Sequence, residues 1–157
     1  EPYRRQRQMC IRDRTYADAC FTAHAIEPDN ENAPKDEAEI EAYYNEIRKI
    51  WDGRDITIIR GEGTEIFQHD IYDNAKSVNY IYGPKAHAFR DYDHLLAEAK
   101  AQPKDRLMIV VLGPTATVLA YDLAKAGYQA LDIGHLGKAY DWLKRKETIV
   151  IGKFFAS

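Results

Sequence analysis

Cysteine is scarce in this chain, with only Cys10 and Cys20 among 157 residues. Two isolated thiols make neither a disulfide framework nor a zinc or redox motif. A reducing, cytoplasmic setting is therefore expected. No apolar run approaches the roughly 18 residues needed to span a bilayer, and no segment has the charged-then-apolar layout of a secretory leader. The nine glycines form no dinucleotide fingerprint, and no P-loop lysine follows them. His24, His69, His87 and His94 have no partner at metal-binding spacing and are expected on the surface.

What is present suits one ordinary folded domain. The hydrophobic fraction is 45%, enough for a core, and 30% of residues are charged. The first fourteen residues stand apart. Gln8 to Arg14, QMCIRDR, matches the in-frame translation of a common sequencing-library transposon end, and EPYRRQR before it has no apolar period. Residues 1–14 are read as an assembly artefact joined to a truncated gene; the alternative is a basic arm for nucleic acid. Setting aside their five arginines and two acids leaves 17 basic and 23 acidic residues, a net charge of −6. An acidic remainder has no basic stripe for DNA or RNA, so no nucleic-acid partner is expected.

Residues 15–34 are polar and irregular, and 35–157 carry the domain. Lys35 to Trp51 predicts an amphipathic helix, with Ile40, Tyr43, Tyr44, Ile47, Ile50 and Trp51 on one side. Strands are predicted over Arg54–Arg60, Val78–Tyr82, Leu107–Leu112 and Tyr128–Asp132. Between them, Phe67–Ala75 reads as helical or turn-like. Helices are expected over Phe89–Ala101, from Gly113-Pro114 to Lys125, and over Gly137–Lys146, and Thr148–Phe155 as a further strand. The continuous run LMIVVL suits a parallel strand buried on both faces. Strands alternating with helices predict an α/β fold, a Rossmann-like parallel sheet with flanking helices.

In such sheets ligands bind beyond the carboxyl ends of the strands, and three predicted strands end in small or polar residues. After the third, Gly113, Pro114, Thr115 and Thr117 open a helix whose free N–H groups suit a diphosphate; a simple helix cap explains the same residues equally well. After the first come Gly61, Glu62, Gly63 and Thr64. Here the glycines permit a sharp turn and Glu62 suits a sugar hydroxyl or a cation, unless Thr64 merely caps the turn. After the fourth, Asp132 and His135 are candidates for a base, a cation ligand or a phosphate donor, unless Asp132 only caps its own turn. No metal ligand set is assigned by spacing.

The strings IRGEGT, DNAKSV, GPKAHAF, DYDHLLAEA and VLGPTATVLAYDLAKAGYQALDIGH together resemble the C-terminal part of the bacterial GT-D-type glycosyltransferases, across roughly Tyr43 to Trp142. The resemblance implies transfer of a sugar, typically glucose from UDP-glucose, onto a glycan or glycoprotein acceptor during surface glycan synthesis, with a divalent cation such as Mn or Mg at the diphosphate. With the loop positions above, Gly61, Gly63, Thr64, Gly113, Pro114, Thr115 and Thr117 are expected at the nucleotide-sugar and Glu62, Asp132 and His135 at the chemistry. The family pattern also includes an upstream Asp-Gly-Glu segment and, after DIGH, Leu-Asp-X-Glu-Tyr-Glu-Trp. Here that stretch is Leu136-Gly137-Lys138-Ala139-Tyr140-Asp141-Trp142, two carboxylates fewer. Two other readings stay open: a nucleotide-binding module without turnover, and another Rossmann-like enzyme such as a methyltransferase.

Overall fold

A computed structural model describes residues 37–64 and 70–145. The expectations for residues 1–14, for residues 15–34 and for a strand at Thr148–Phe155 lie outside the described residues. The elements run α1 (Glu37–Arg48), β1 (Asp55–Gly61), β2 (Ser77–Gly83), α2 (Tyr92–Lys100), β3 (Leu107–Val111), α3 (Pro114–Lys125), β4 (Ala130–Asp132) and α4 (Leu136–Arg145). Short 3-10 turns occupy Asp70–Tyr72 and Ala88–Asp91.

The four strands form one parallel sheet in the order β2-β1-β3-β4. β1 and β3 are near-continuous apolar runs because each is covered on both faces. Alternation along the strands divides the core. Ile56, Ile58, Leu107 and Ile109 face one way, onto Tyr44, Ile47, Trp51, Ile71, Leu136 and Tyr140 from α1, the 3-10 turn and α4. Ile59, Ile81, Met108 and Val110 face the other way, onto Leu95, Ala99, Ala116, Leu119 and Leu123 of α2 and α3. A doubly covered parallel sheet is therefore shown. Among the described residues no helix is long and apolar enough to cross a membrane.

Several predicted boundaries shift for physical reasons. α1 ends at Arg48 and not at Trp51, since residues 49–53 turn back toward the sheet. Trp51 is fully buried there and its indole N–H donates to the Ile71 carbonyl at 2.9 Å. Ile50, expected on the inner side, is exposed at that turn. The segment expected as one helix from Phe89 is a 3-10 turn followed by α2. The strand expected from Tyr128 begins only at Ala130. Tyr128 instead closes the end of α3, its N–H donating to the Leu123 carbonyl at 3.1 Å, while Gly127 takes φ +90°.

At the amino edge of the sheet, Arg106 ties three strands together. Its Nε donates to Thr57 Oγ1 at 2.9 Å, one Nη to Ser77 Oγ at 3.2 Å, and the other to the Ile56 carbonyl. Ser77 Oγ in turn donates to Asp55 Oδ1 at 2.6 Å. This bond, with Lys76 beside it, holds the Asp55 carboxyl below the usual carboxylate range. Thr57 is fully buried, so losing its donor strands a hydroxyl in the core. Arg106→Met is expected to cost about 1–3 kcal/mol, read as a lower urea midpoint with an unchanged m-value.

Candidate functional site

All four strands point the same way, so the loops that follow β1, β3 and β4 emerge at one edge. The chain leaves β1 toward the α1/α4 face, where Ile71 and Tyr72 pack, and leaves β3 toward the α2/α3 face, where Ala116 and Leu119 pack. The crevice between the ends of β1 and β3 is thus the switch point of the sheet, the place where open α/β folds take ligands.

On the β3 side, Gly113 has φ 54° and ψ −139° and caps α3, with Pro114 at its first position. That backbone conformation is open in practice only to glycine. Ala116 N–H donates to the Gly113 carbonyl at 3.0 Å. Pro114 has no N–H, so the Thr115 amide is the first that helix geometry leaves without an intrahelical acceptor. The Thr115 side chain is buried, at 6% exposure, on the inner side of α3 beside Ala116 and Leu119.

Thr117 is exposed, and its hydroxyl donates to Asp132 Oδ2 at 2.8 Å. The Gly134 N–H donates to Asp132 Oδ1 at 3.1 Å. The first turn of α3 and the end of β4 are thereby joined through one exposed carboxylate. Asp132 does close its own turn, and it also reaches a second element. His135 is half-buried at the start of α4. Burial, then Lys138, holds its imidazole below the usual histidine range, while Asp132 pulls the other way.

On the β1 side, Gly61 pairs with Gly83 of β2, and the Glu62 N–H donates to the Gly83 carbonyl at 2.8 Å. A Cβ on Gly61 would stand 3.4 Å from Lys85 Cα. Gly63 takes φ +77°. Thr64 Oγ1 donates to the Gly61 carbonyl at 2.6 Å, so its hydroxyl proton closes the turn. The Glu62 side chain is exposed. Asp132 pairs with Val110, and Val111 pairs with Arg60, which leaves Glu62 beyond the level of Asp132 and two strand spacings away, roughly 10 Å. The structure joins Thr117, Asp132 and Gly134, sets Gly113 and Thr115 beside them, and holds Glu62 across the crevice. Of the histidines expected on the surface, His87 and His94 are exposed, and His24 and His69 lie outside the described residues.

Arg60 belongs to the same edge and is not singled out by sequence, because a charge closing an apolar strand reads as an exposed terminus. It is buried at 7% exposure. Its guanidinium carbon lies 4.6 Å from the Tyr80 ring centroid and 5.6 Å from that of Tyr82. Those two rings stack on each other at 5.9 Å and are about 40% exposed, at 43% and 40%. The signal available in sequence was the i, i+2 tyrosine pair, Tyr80 and Tyr82, on one side of a strand.

Two outcomes follow from this geometry. Gly113→Ala meets no neighbour within 4 Å, so its cost is backbone strain alone, about 1–3 kcal/mol, measurable as a fall in melting temperature. The depressed His135 imidazole binds fewer protons folded than unfolded. Its contribution to stability is full above the unfolded value of about 6.5 and falls as pH drops through it. Wild type should therefore lose more melting temperature between pH 7.5 and 5.5 than His135→Gln does. Equal losses would contradict the assignment.

A family profile described as glycosyltransferase GT-D fold matches residues 2–152. The chain is 35% identical over 111 residues to glycosyltransferase GlyD of Streptococcus pneumoniae, covering 70% of this chain and 14% of that protein. A solved structure of the domain of unknown function 1792, described as having a distinct glycosyltransferase fold, superposes with a TM-score of 0.72 at 32% identity. That match covers 82% of this chain and 45% of the solved one. A new glycosyltransferase of the same domain type from Streptococcus sanguinis superposes with a TM-score of 0.71 at 26% identity, over 83% of this chain and 47% of its own. The chain thus spans about one seventh of GlyD and under half of each solved domain. With its doubly covered parallel sheet and its glycine-capped helix at the switch point, it belongs to the GT-D-fold glycosyltransferase family.

Proposed function

We propose that this chain supplies one wall of a site that transfers a hexose, glucose from UDP-glucose, to a glycan or glycoprotein acceptor in surface glycan synthesis. The observation that carries this is the start of α3. A left-handed glycine followed by proline presents the Thr115 amide and the positive end of a twelve-residue helix to the crevice between β1 and β3. Family membership decides against the methyltransferase alternative.

In the transfer, the bond from sugar C1 to the diphosphate oxygen breaks and its electron pair stays on UDP. The acceptor hydroxyl oxygen forms the new bond to C1 and gives up its proton. Fixed dipoles at the developing negative charge lower the barrier because they need no reorganisation. The Thr115 amide and the α3 terminus fill that role here. Gly63 and Gly61 let the opposite loop turn close to the donor, leaving Glu62 for a sugar hydroxyl. Asp132, oriented by Thr117 and Gly134, is the candidate proton acceptor, and His135, held neutral at pH 7, donates to a phosphate oxygen. We place the reaction in the cytoplasm.

Among the described residues no group of three or more His, Cys, Asp or Glu side chains gathers to hold a metal. The Asp132 oxygens keep lone pairs beyond the two hydrogen bonds they accept, so among the described residues Asp132 fits a Mn or Mg ion shared with the diphosphate, a role that would replace its part as proton acceptor. When bound, such an ion neutralises charge on the leaving group. A second reading, nucleotide binding without turnover, draws support from the first turn of α4, which carries no acidic residue.

The test uses the full-length protein with UDP-glucose, Mn or Mg and a glycan acceptor. Release of UDP with sugar transfer is expected, and Gly113→Ala should reduce it about tenfold or more. UDP binding without transfer favours the second reading. Absence of both binding and transfer contradicts the proposal.

A further inference from the structure

Among the described residues, the Arg60 guanidinium has no counter-charge. The residue is 7% exposed, its Nε is buried with no hydrogen-bond partner, and among the described residues no carboxylate pairs with it. Arginine stays protonated in proteins and carries five N–H donors. The Tyr80 and Tyr82 rings hold the cation by their faces, yet a ring face does not satisfy the N–H groups at the guanidinium edge. Burying such a charge unpaired is costly, and the cost is recovered when an anion arrives. Its position adds to this. Arg60 is the penultimate residue of the central strand and pairs with Val111, two residues before Gly113.

We propose that Arg60, walled by Tyr80 and Tyr82, is an oxyanion site for a phosphoryl group of a ligand lying across the carboxyl edge of the sheet. By strand alternation Arg60 shares the α1/α4 face with Ile56 and Ile58, whereas the start of α3 belongs to the opposite face. A diphosphate across the edge then meets the helix terminus from one face and a guanidinium fork from the other. Arginine suits this task because its planar donors match two phosphate oxygens at once. The nucleotide identity of the ligand rests on the function proposed above, while the oxyanion site rests on Arg60 itself.

Calorimetric titration of the full-length protein with UDP, uridine and inorganic pyrophosphate separates the two. Arg60→Met is expected to weaken UDP and pyrophosphate binding about tenfold or more, to leave uridine binding unchanged, and to leave the ligand-free melting temperature no lower than wild type. Arg60→Lys keeps the charge, loses the fork and should fall between the two. It also carries the test if the methionine variant does not fold. UDP bound equally tightly by wild type and both variants overturns the site while the nucleotide-sugar reading stands. Equal loss of UDP and uridine, with a lowered ligand-free melting temperature, overturns it in favour of a structural role. Pyrophosphate binding that depends on Arg60 without any preference for UDP supports the oxyanion site and contradicts the nucleotide.

Discussion

β1 is hydrogen-bonded on both sides, running parallel with β2 from Asp55 to Gly61 and with β3 from Ile56 to Arg60. This pairing sets the remaining geometry. Because β1 is central, its apolar residues must be covered twice, and the two core clusters follow from that demand. Because the chain leaves β1 and β3 toward opposite faces, their ends part and open the crevice. A one-residue slip of β1 against β3 would exchange its faces, sending Arg60 toward α3 and Ile59 toward α1.

The crevice is built largely from backbone. Gly113 and Gly63 hold conformations that side chains resist, and Gly61 and Gly83 lie side by side where the loops meet. The polar side chains are already oriented. Thr117 and the Gly134 amide share Asp132, and Thr64 closes the turn at Gly61. Arg60 is the exception, its Nε buried without a hydrogen-bond partner and, among the described residues, no carboxylate paired with it. The polar groups of the crevice are thus mutually bonded on the β3–α3–β4 side, while the proposed anion contact lies on the β1–β2 side.

Much of the scaffold was legible in sequence because short-range chemistry determines it. LMIVVL is too apolar for an edge strand, Gly113-Pro114 is a strong helix opening, and Gly127 a strong helix stop. Less local features were not legible. Trp51 reads as the last turn of a helix until its indole finds Ile71, twenty residues on. The bond from Thr117 to Asp132 requires the parallel register of β3 and β4, which no short motif encodes. Arg60 looks like a polar strand end because its burial depends on Tyr80 and Tyr82, which reach it only through pairing of β1 with β2. The family resemblance, carried by the long run from Val111 to His135, reached the function class where individual motifs left the choice between cap and ligand loop open.

A nucleotide-sugar is proposed to lie across the carboxyl edge between β1 and β3. Amide chemical shifts recorded while UDP is added to the full-length protein test it most directly. Perturbations are expected at Gly61 to Thr64, Gly113 to Thr117 and Asp132 to Gly134, on both sides of the crevice. Shifts absent from those three segments, and confined to the outer surface around Phe89, Val118 and Tyr121, would contradict it.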